Sequence, residues 1–171
     1  MQMVSIRQAK VNDLNSILGI YNQGIEDRIA TLETETKDMI YIQKWFNQHQ
    51  GRHVALVAEV SEQVIGWASL NPYSHRCAYH GVADLSIYIH REYRGKGIGN
   101  ALLLELENEA RKHNFHKIVL FTFPFNKAGQ GLYQKLGYRT VGFFEQQGIM
   151  DGELIDIMIM EKLIHQAGMH G

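Results

Sequence analysis

From Ile98 onward the apolar residues Leu102, Leu103, Leu106 and Ala110 recur at helical spacing, with Glu105, Glu107, Glu109, Arg111 and Lys112 between them. This pattern predicts an amphipathic helix with its charged side in water. Upstream, Val4 to Arg7 is short and strand-like. Asn12 or Asp13 can cap a helix carrying Leu14, Ile17, Leu18, Tyr21 and Ile25, and Thr36 can cap a second carrying Met39, Ile42, Trp45 and Phe46. Period-two and continuous apolar runs then predict strands over 53–60 and 64–70, joined at Ser61-Glu62-Gln63, before Asn71-Pro72-Tyr73-Ser74 breaks the pattern. Residues 79–90 read as a central strand, apolar on both faces at Leu85, Ile87 and Ile89.

Downstream of the helix, Lys117 to Phe123 is a buried strand. Strand, helix and strand in succession predict a right-handed crossover between parallel neighbours. Asn126 can cap a short helix ending at Gly137. The last strands are 138–144 and 153–160, turning at Asp151-Gly152. The predicted class is α/β (α+β), a single domain over 1–164 followed by a frayed tail, 165–171.

Composition narrows the function. The 171 residues are 45% apolar and 20% charged, with a net charge of -1. That balance favours neither nucleic acid nor an anionic membrane as a partner. One cysteine, Cys77, excludes an internal disulfide. The N-terminus lacks a leader pattern, and no apolar run approaches the roughly 20 residues of a membrane span. A cytoplasmic location is the expectation. The nine histidines form neither HxH nor HExxH, so no metal site is predicted.

The chemistry concentrates in Arg94-Gly95-Lys96-Gly97-Ile98-Gly99, between the central strand and the amphipathic helix. Glycines let backbone N–H groups approach an anion, and the helix start adds unpaired N–H groups and a positive dipole end. A dinucleotide fingerprint is disfavoured because the loop follows a meander and the next strand ends in Phe-Pro-Phe without an acid. A P-loop is excluded because no Gly-x-x-x-x-Gly-Lys-Ser/Thr occurs. A bare glycine turn with no ligand remains the alternative for the segment taken alone.

Arg94-x-x-Gly97-x-Gly99, set in this order of elements, resembles the acyl-CoA-binding motif of the GNAT acetyltransferase superfamily. The resemblance implies the superfamily's mixed central sheet flanked by helices, with a splayed parallel strand pair, and acetyl-CoA as co-substrate. It implies pyrophosphate contacts from Arg94, Gly95, Lys96, Gly97, Ile98, Gly99 and Asn100, and pantetheine contacts from the backbone of Ile87, Tyr88 and Ile89. Asn126-x6-Tyr133-x3-Gly137-Tyr138 resembles the next signature, which implies Asn126 near the cofactor arm and Tyr133 as general acid.

Ile20-Tyr21-Asn22, Thr31 to Glu35 and Ser86-Ile87-Tyr88-Ile89 are similar to the phosphinothricin and methionine sulfoximine N-acetyltransferase branch. That likeness implies acetylation of the primary amine of a small amino acid analogue, and a homodimer. Asp84 takes the place of a branch Glu as base or substrate contact. Substrate contacts are implied at Arg28, Glu33, Ser74, His75, Arg76, Tyr79, Asp84, Leu85 and Ser86. Met150 stands where the branch has Lys, and Tyr133 where it often has His. Another amine (polyamine, aminoglycoside or protein N-terminus) and a non-catalytic CoA-binding module stay open. An amine of pKa roughly 9 to 10 lies about six units above an ordinary Asp, so Asp84 needs a raised pKa or a relaying water to act as base.

Overall fold

A computed structural model describes residues 3–164; the tail expected to fray lies outside them. In chain order the elements are β1 (Ser5–Gln8), α1 (Leu14–Glu26), α2 (Met39–Asn47), β2 (Ala55–Val60), β3 (Gln63–Pro72), β4 (Val82–Ile89), α3 (Ile98–Lys112), β5 (Lys117–Thr122), α4 (Lys127–Lys135), β6 (Arg139–Met150) and β7 (Glu153–Leu163). The strands form one mixed sheet in the order β1-β2-β3-β4-β5-β7-β6. Every neighbouring pair is antiparallel except β4 and β5. The single parallel pair in a mixed sheet agrees with the architecture that the sequence resemblance implies.

Two apolar layers cover the sheet. On one face Ala68, Leu70 and Leu85 pack with Leu102, Leu103, Leu106 and Phe115. On the other, Val57 and Trp67 pack with Ile17, Ile25 and Ile42 from the first two helices. Alternation along a strand sends Trp67, Ser69 and Asn71 of β3 to a common side. At Gly24 a Cβ would lie 2.8 Å from the Tyr88 ring, so glycine there lets α1 settle directly on β4.

Several local expectations change. Asp38, not Thr36, caps α2, its carboxylate accepting from the Tyr41 N–H at 3.0 Å. Strand β3 continues through Asn71 and Pro72, because the proline ends the ladder as its last residue and no interior N–H is lost. The last two strands extend to 12 and 11 residues. Glu107 is buried, with Lys162 Nζ donating to its carboxylate at 2.7 Å and to the Leu136 carbonyl at 2.6 Å. A charge at helical spacing was therefore mistaken for a wet one.

Candidate active site

The site begins where the sheet opens. Strands β4 and β5 pair only at Val82↔Lys117, Ala83↔Ile118 and Asp84↔Val119. Beyond Asp84 they part, leaving the β5-facing edge of residues 85–89 free of ladder bonds to β5 and able to bond a ligand. Two cavities of about 430 Å³ each meet at this split. Ala30, Ile87, Tyr88, Asn126 and Tyr133 line both.

The first cavity is a groove running from the split to the start of α3. Gly97 is the helix N-cap at φ +84° and Gly95 sits at φ +76°, left-handed conformations in which an L side chain is strained. No side chain caps α3, so its first N–H groups stay available to an anion. Ile87, Ile89, Arg94, Gly95, Gly97, Ile98, Gly99, Asn100 and Asn126, all expected from the sequence, line the groove. Lys96 does not; its ammonium sits 5.4 Å from the centroid of the Tyr93 ring. Arg94 is held by Asp27 Oδ2 at 2.8 Å and the Ile89 carbonyl at 3.2 Å. Burial works against ionisation of Asp27, but the bonds from Arg94 and Arg91 outweigh it and hold its carboxyl below the ordinary range. Asn126 caps α4 by accepting from the Gly129 N–H at 3.1 Å, and its amide donates to Thr122 at 3.2 Å. Sequence reasoning missed Ile29, Ala30, Tyr93, Ala128 and Leu132 in the walls, since apolar lining residues carry no local signature.

The second cavity lies on the α1–α2 side and is walled by aromatics: Tyr21, Tyr41, Trp45, Trp67 and Tyr88. Among the described residues, Asp84 is its only carboxylate, and neither Lys nor Arg lines it. Burial raises the Asp84 carboxyl to about 6, against the lowering effect of the Asn71 side chain and the Leu85 backbone. Tyr133 is 7% exposed. Burial, and secondarily the charge of Asp84, pushes its phenol up to about 12. Both side chains line this cavity, one from β4 and the other from α4, and Tyr133 lines the first cavity as well.

Leu85 and Ser86 also line this cavity as expected, but Arg28, Glu33, Ser74, His75, Arg76 and Tyr79 do not. Arg28 donates to both oxygens of Asp151, at 2.8 and 3.3 Å, and Glu33 pairs with Lys37 at 3.0 Å. The loop after Pro72 leaves the sheet, and within it the Ser74 hydroxyl accepts from the Arg76 N–H at 3.2 Å. Wall residues with polar reach that the sequence did not single out include Gln48, His49, Asn71 and Thr122. No sequence motif marks them, because they come from three separate segments. Among the described residues, no cluster of three His, Cys, Asp or Glu could hold a metal ion, and no helix is long and apolar enough to cross a membrane.

Comparison with known proteins agrees with this architecture. Residues 20–138 match the acetyltransferase (GNAT) family. The chain is 31% identical over 159 residues to an L-methionine sulfoximine/L-methionine sulfone acetyltransferase of Pseudomonas aeruginosa, covering 92% of each protein. It superposes with a TM-score of 0.90 on a phosphinothricin acetyltransferase from Sinorhizobium meliloti solved in complex with acetyl-CoA, at 27% identity over 98% of this chain and 92% of that one. A ribosomal-protein-alanine N-acetyltransferase from Brucella melitensis matches equally well, with a TM-score of 0.90 at 32% identity over 93% of this chain and 99% of the other.

Proposed function

The chain belongs to the GNAT acetyltransferase family, and from that premise we propose that it acetylates the primary amine of a small amino acid analogue such as phosphinothricin or methionine sulfoximine. The observation that carries this reading is the pair of cavities meeting at Asn126 and Tyr133, with Asp84 in the wall of one of them. One has an anion-binding end at Gly95 to Asn100, and the other is small, aromatic and supplied with a single carboxylate. The glycine loop, the uncapped start of α3 and the open edge of β4 fit acetyl-CoA, which supplies the acetyl group as a thioester.

The chain's own groups divide the work. The carboxylate of Asp84 holds the incoming ammonium and takes its proton. A carboxyl at about 6 narrows the gap to an amine of roughly 9 to 10 from about six units to three or four, which makes relay through one water workable. Backbone N–H groups along the open edge of β4 are placed to donate to a developing oxyanion. The Tyr133 phenol, fully protonated at neutral pH, is the proton donor facing both cavities. A single carboxylate in the acceptor cavity argues against a polycationic acceptor, which needs several.

A second copy of the chain is the partner we assign to the exposed apolar pair Phe121 of β5 and Phe144 of β6, whose rings stack across β7 at 6.5 Å between centroids. The acceptor is tested by following thiol release from acetyl-CoA with phosphinothricin, methionine sulfoximine, free amino acids, spermidine and an alanine-initiated peptide. Turnover of the first two above the others is expected. Preference for the peptide or the polyamine overturns the assignment.

A further inference from the structure

A chain of hydrogen bonds behind Asp84 has no part in the reading so far. Asn71 and Asp84 are register partners on β3 and β4, as are Ser69 and Ser86. One end of the Asn71 carboxamide meets Asp84 Oδ2 at 3.2 Å and Ser86 Oγ at 2.9 Å. Its other end meets Ser69 Oγ at 2.9 Å and His49 Nε2 at 2.9 Å. His49 Nδ1 lies 2.7 Å from the Trp45 carbonyl, and the ring is 7% exposed, tilted against Trp45 at 4.7 Å between centroids.

Proton accounting constrains this chain. A carbonyl only accepts, so His49 Nδ1 carries a hydrogen. If the oxygen of Asn71 faces His49, Nε2 must carry one too, and the ring is a cation while the Asn71 N–H groups donate to an ionised Asp84. If the amide nitrogen faces His49, Nε2 accepts and the ring is neutral, and the Asn71 oxygen then needs a hydrogen from a protonated Asp84. Either orientation leaves one ionisable proton between the two residues. A neutral ring beside an ionised carboxylate forces two acceptors together at one of these contacts.

We propose that His49 and Asp84 share a single proton across the Asn71 carboxamide, which makes His49 and Asn71 positioning residues that set when Asp84 is ready to accept. The idea rests on the acetyltransfer reading for its use, though not for its geometry. When the ammonium nitrogen gives its proton to Asp84 Oδ2, Asn71 turns over. Its oxygen then accepts from the new carboxyl O–H, its nitrogen donates to His49 Nε2, and the Nε2 proton passes to water in the cavity that His49 lines. Proton uptake at one residue expels a proton at the other, and such a pair titrates as a unit.

The other groups facing the pair do not supply an alternative partner. Tyr133 of α4 and Tyr41 of α2 line the same cavity, Tyr133 with its phenol pushed up by burial, while His53 and Arg52 lie beyond α2. The charge of Arg52, followed by that of His49, adds to burial in holding His53 below its ordinary range.

The test counts protons directly, without turnover. Nitrogen-15 spectra of histidine-labelled protein and carbon-13 spectra of the aspartate carboxyls are followed from pH 5 to pH 8 in the wild-type chain and in Asp84→Asn. One shared proton is expected near pH 7. In Asp84→Asn the ring should give up its Nε2 proton at lower pH, because the substituted amide satisfies Asn71 without a charge. A neutral ring beside an ionised Asp84 at pH 7, or a ring whose titration ignores Asp84→Asn, overturns the proposal even if no acceptor is ever found. Where an acceptor is turned over, His49→Gln, which still donates to Asn71, should move the acidic limb of kcat/KM upward by about one pH unit through loss of the cation. An unmoved limb counts against the proposal.

Discussion

Tyr133 and Asp84 line one cavity, from α4 and from β4, and burial, with the charge of Asp84 added to it, raises the Tyr133 phenol to about 12. A phenol so placed stays protonated throughout the range in which the enzyme can work, so it can donate but not accept. Tyr133→Phe should lower kcat by about 100-fold with little change in the KM for the amine. Steady-state kinetics at fixed saturating acetyl-CoA decides it, and an unchanged kcat would remove Tyr133 from the mechanism.

Asp84→Asn should trade activity for stability. Burial raises the folded carboxyl from 3.8 to about 6, so the folded chain binds this proton more tightly than the unfolded chain does. The group's stabilising contribution is therefore complete below the unfolded value and is lost as pH rises through about 6. The difference of about two pKa units leaves a cost of about 3 kcal/mol at pH 8. Asparagine removes that cost, so denaturant midpoints should rise at pH 8 and change little at pH 4. Turnover should fall by about 10²- to 10⁴-fold.

The glycine loop makes a separate prediction. Gly97 sits at φ +84° with open space where a Cβ would go, so Gly97→Ala costs backbone strain of about 1–2 kcal/mol and creates no clash. If the strain is relieved by moving the loop, the dissociation constant for coenzyme A should rise by about tenfold. Calorimetric titration measures it, and unchanged affinity would show that the amides of this loop do not grip the anion.

Lys162→Met should deprive the carboxylate of Glu107, 2% exposed, of its partner at 2.7 Å, while Arg111 stands at 3.9 Å. A loss of about 3 kcal/mol is expected, since an uncompensated buried charge is costly. The double variant with Glu107→Leu should recover most of it, as read by urea denaturation.

Phe144 is 46% exposed on β6, its ring stacked 6.5 Å from that of Phe121. Phe144→Glu should convert a dimer to a monomer in sedimentation velocity with the helical circular dichroism unchanged. A wild-type chain that sediments as a monomer at the concentrations used for assay refutes the assignment of a second copy to this pair.

Most of the fold could be read along the chain because its elements announce themselves locally. The apolar spacing of α3, the cap at Asn126 and the Asp151-Gly152 turn, with φ +52° and +81°, each depend on neighbours in sequence. Errors arose where a distant partner decided. Glu107 fits the wet side of a helix by spacing, and its burial is compensated from Lys162, 55 positions away.

The donor half of the site was legible for the same reason, since a contiguous loop and the start of its helix build the anion cradle. The acceptor half was not. Arg28 is basic and lies near the expected position, but a carboxylate 123 residues away holds it outside the cavity. His49, Asn71 and Asp84 come from α2's end, β3 and β4, and their meeting depends on the β3–β4 register and on how α2 lies across the sheet.

The sequence by itself determined the order of elements, the glycine loop and the presence of an aspartate on the central strand, because these follow from short-range sterics and periodicity. The tertiary structure alone decided that β4 and β5 part after Asp84, that a buried carboxyl rises to about 6 there, and that a histidine stands behind it through one carboxamide. Desolvation and hydrogen-bond partnership belong to the surroundings of a side chain, and those surroundings are assembled from segments that the linear order keeps apart.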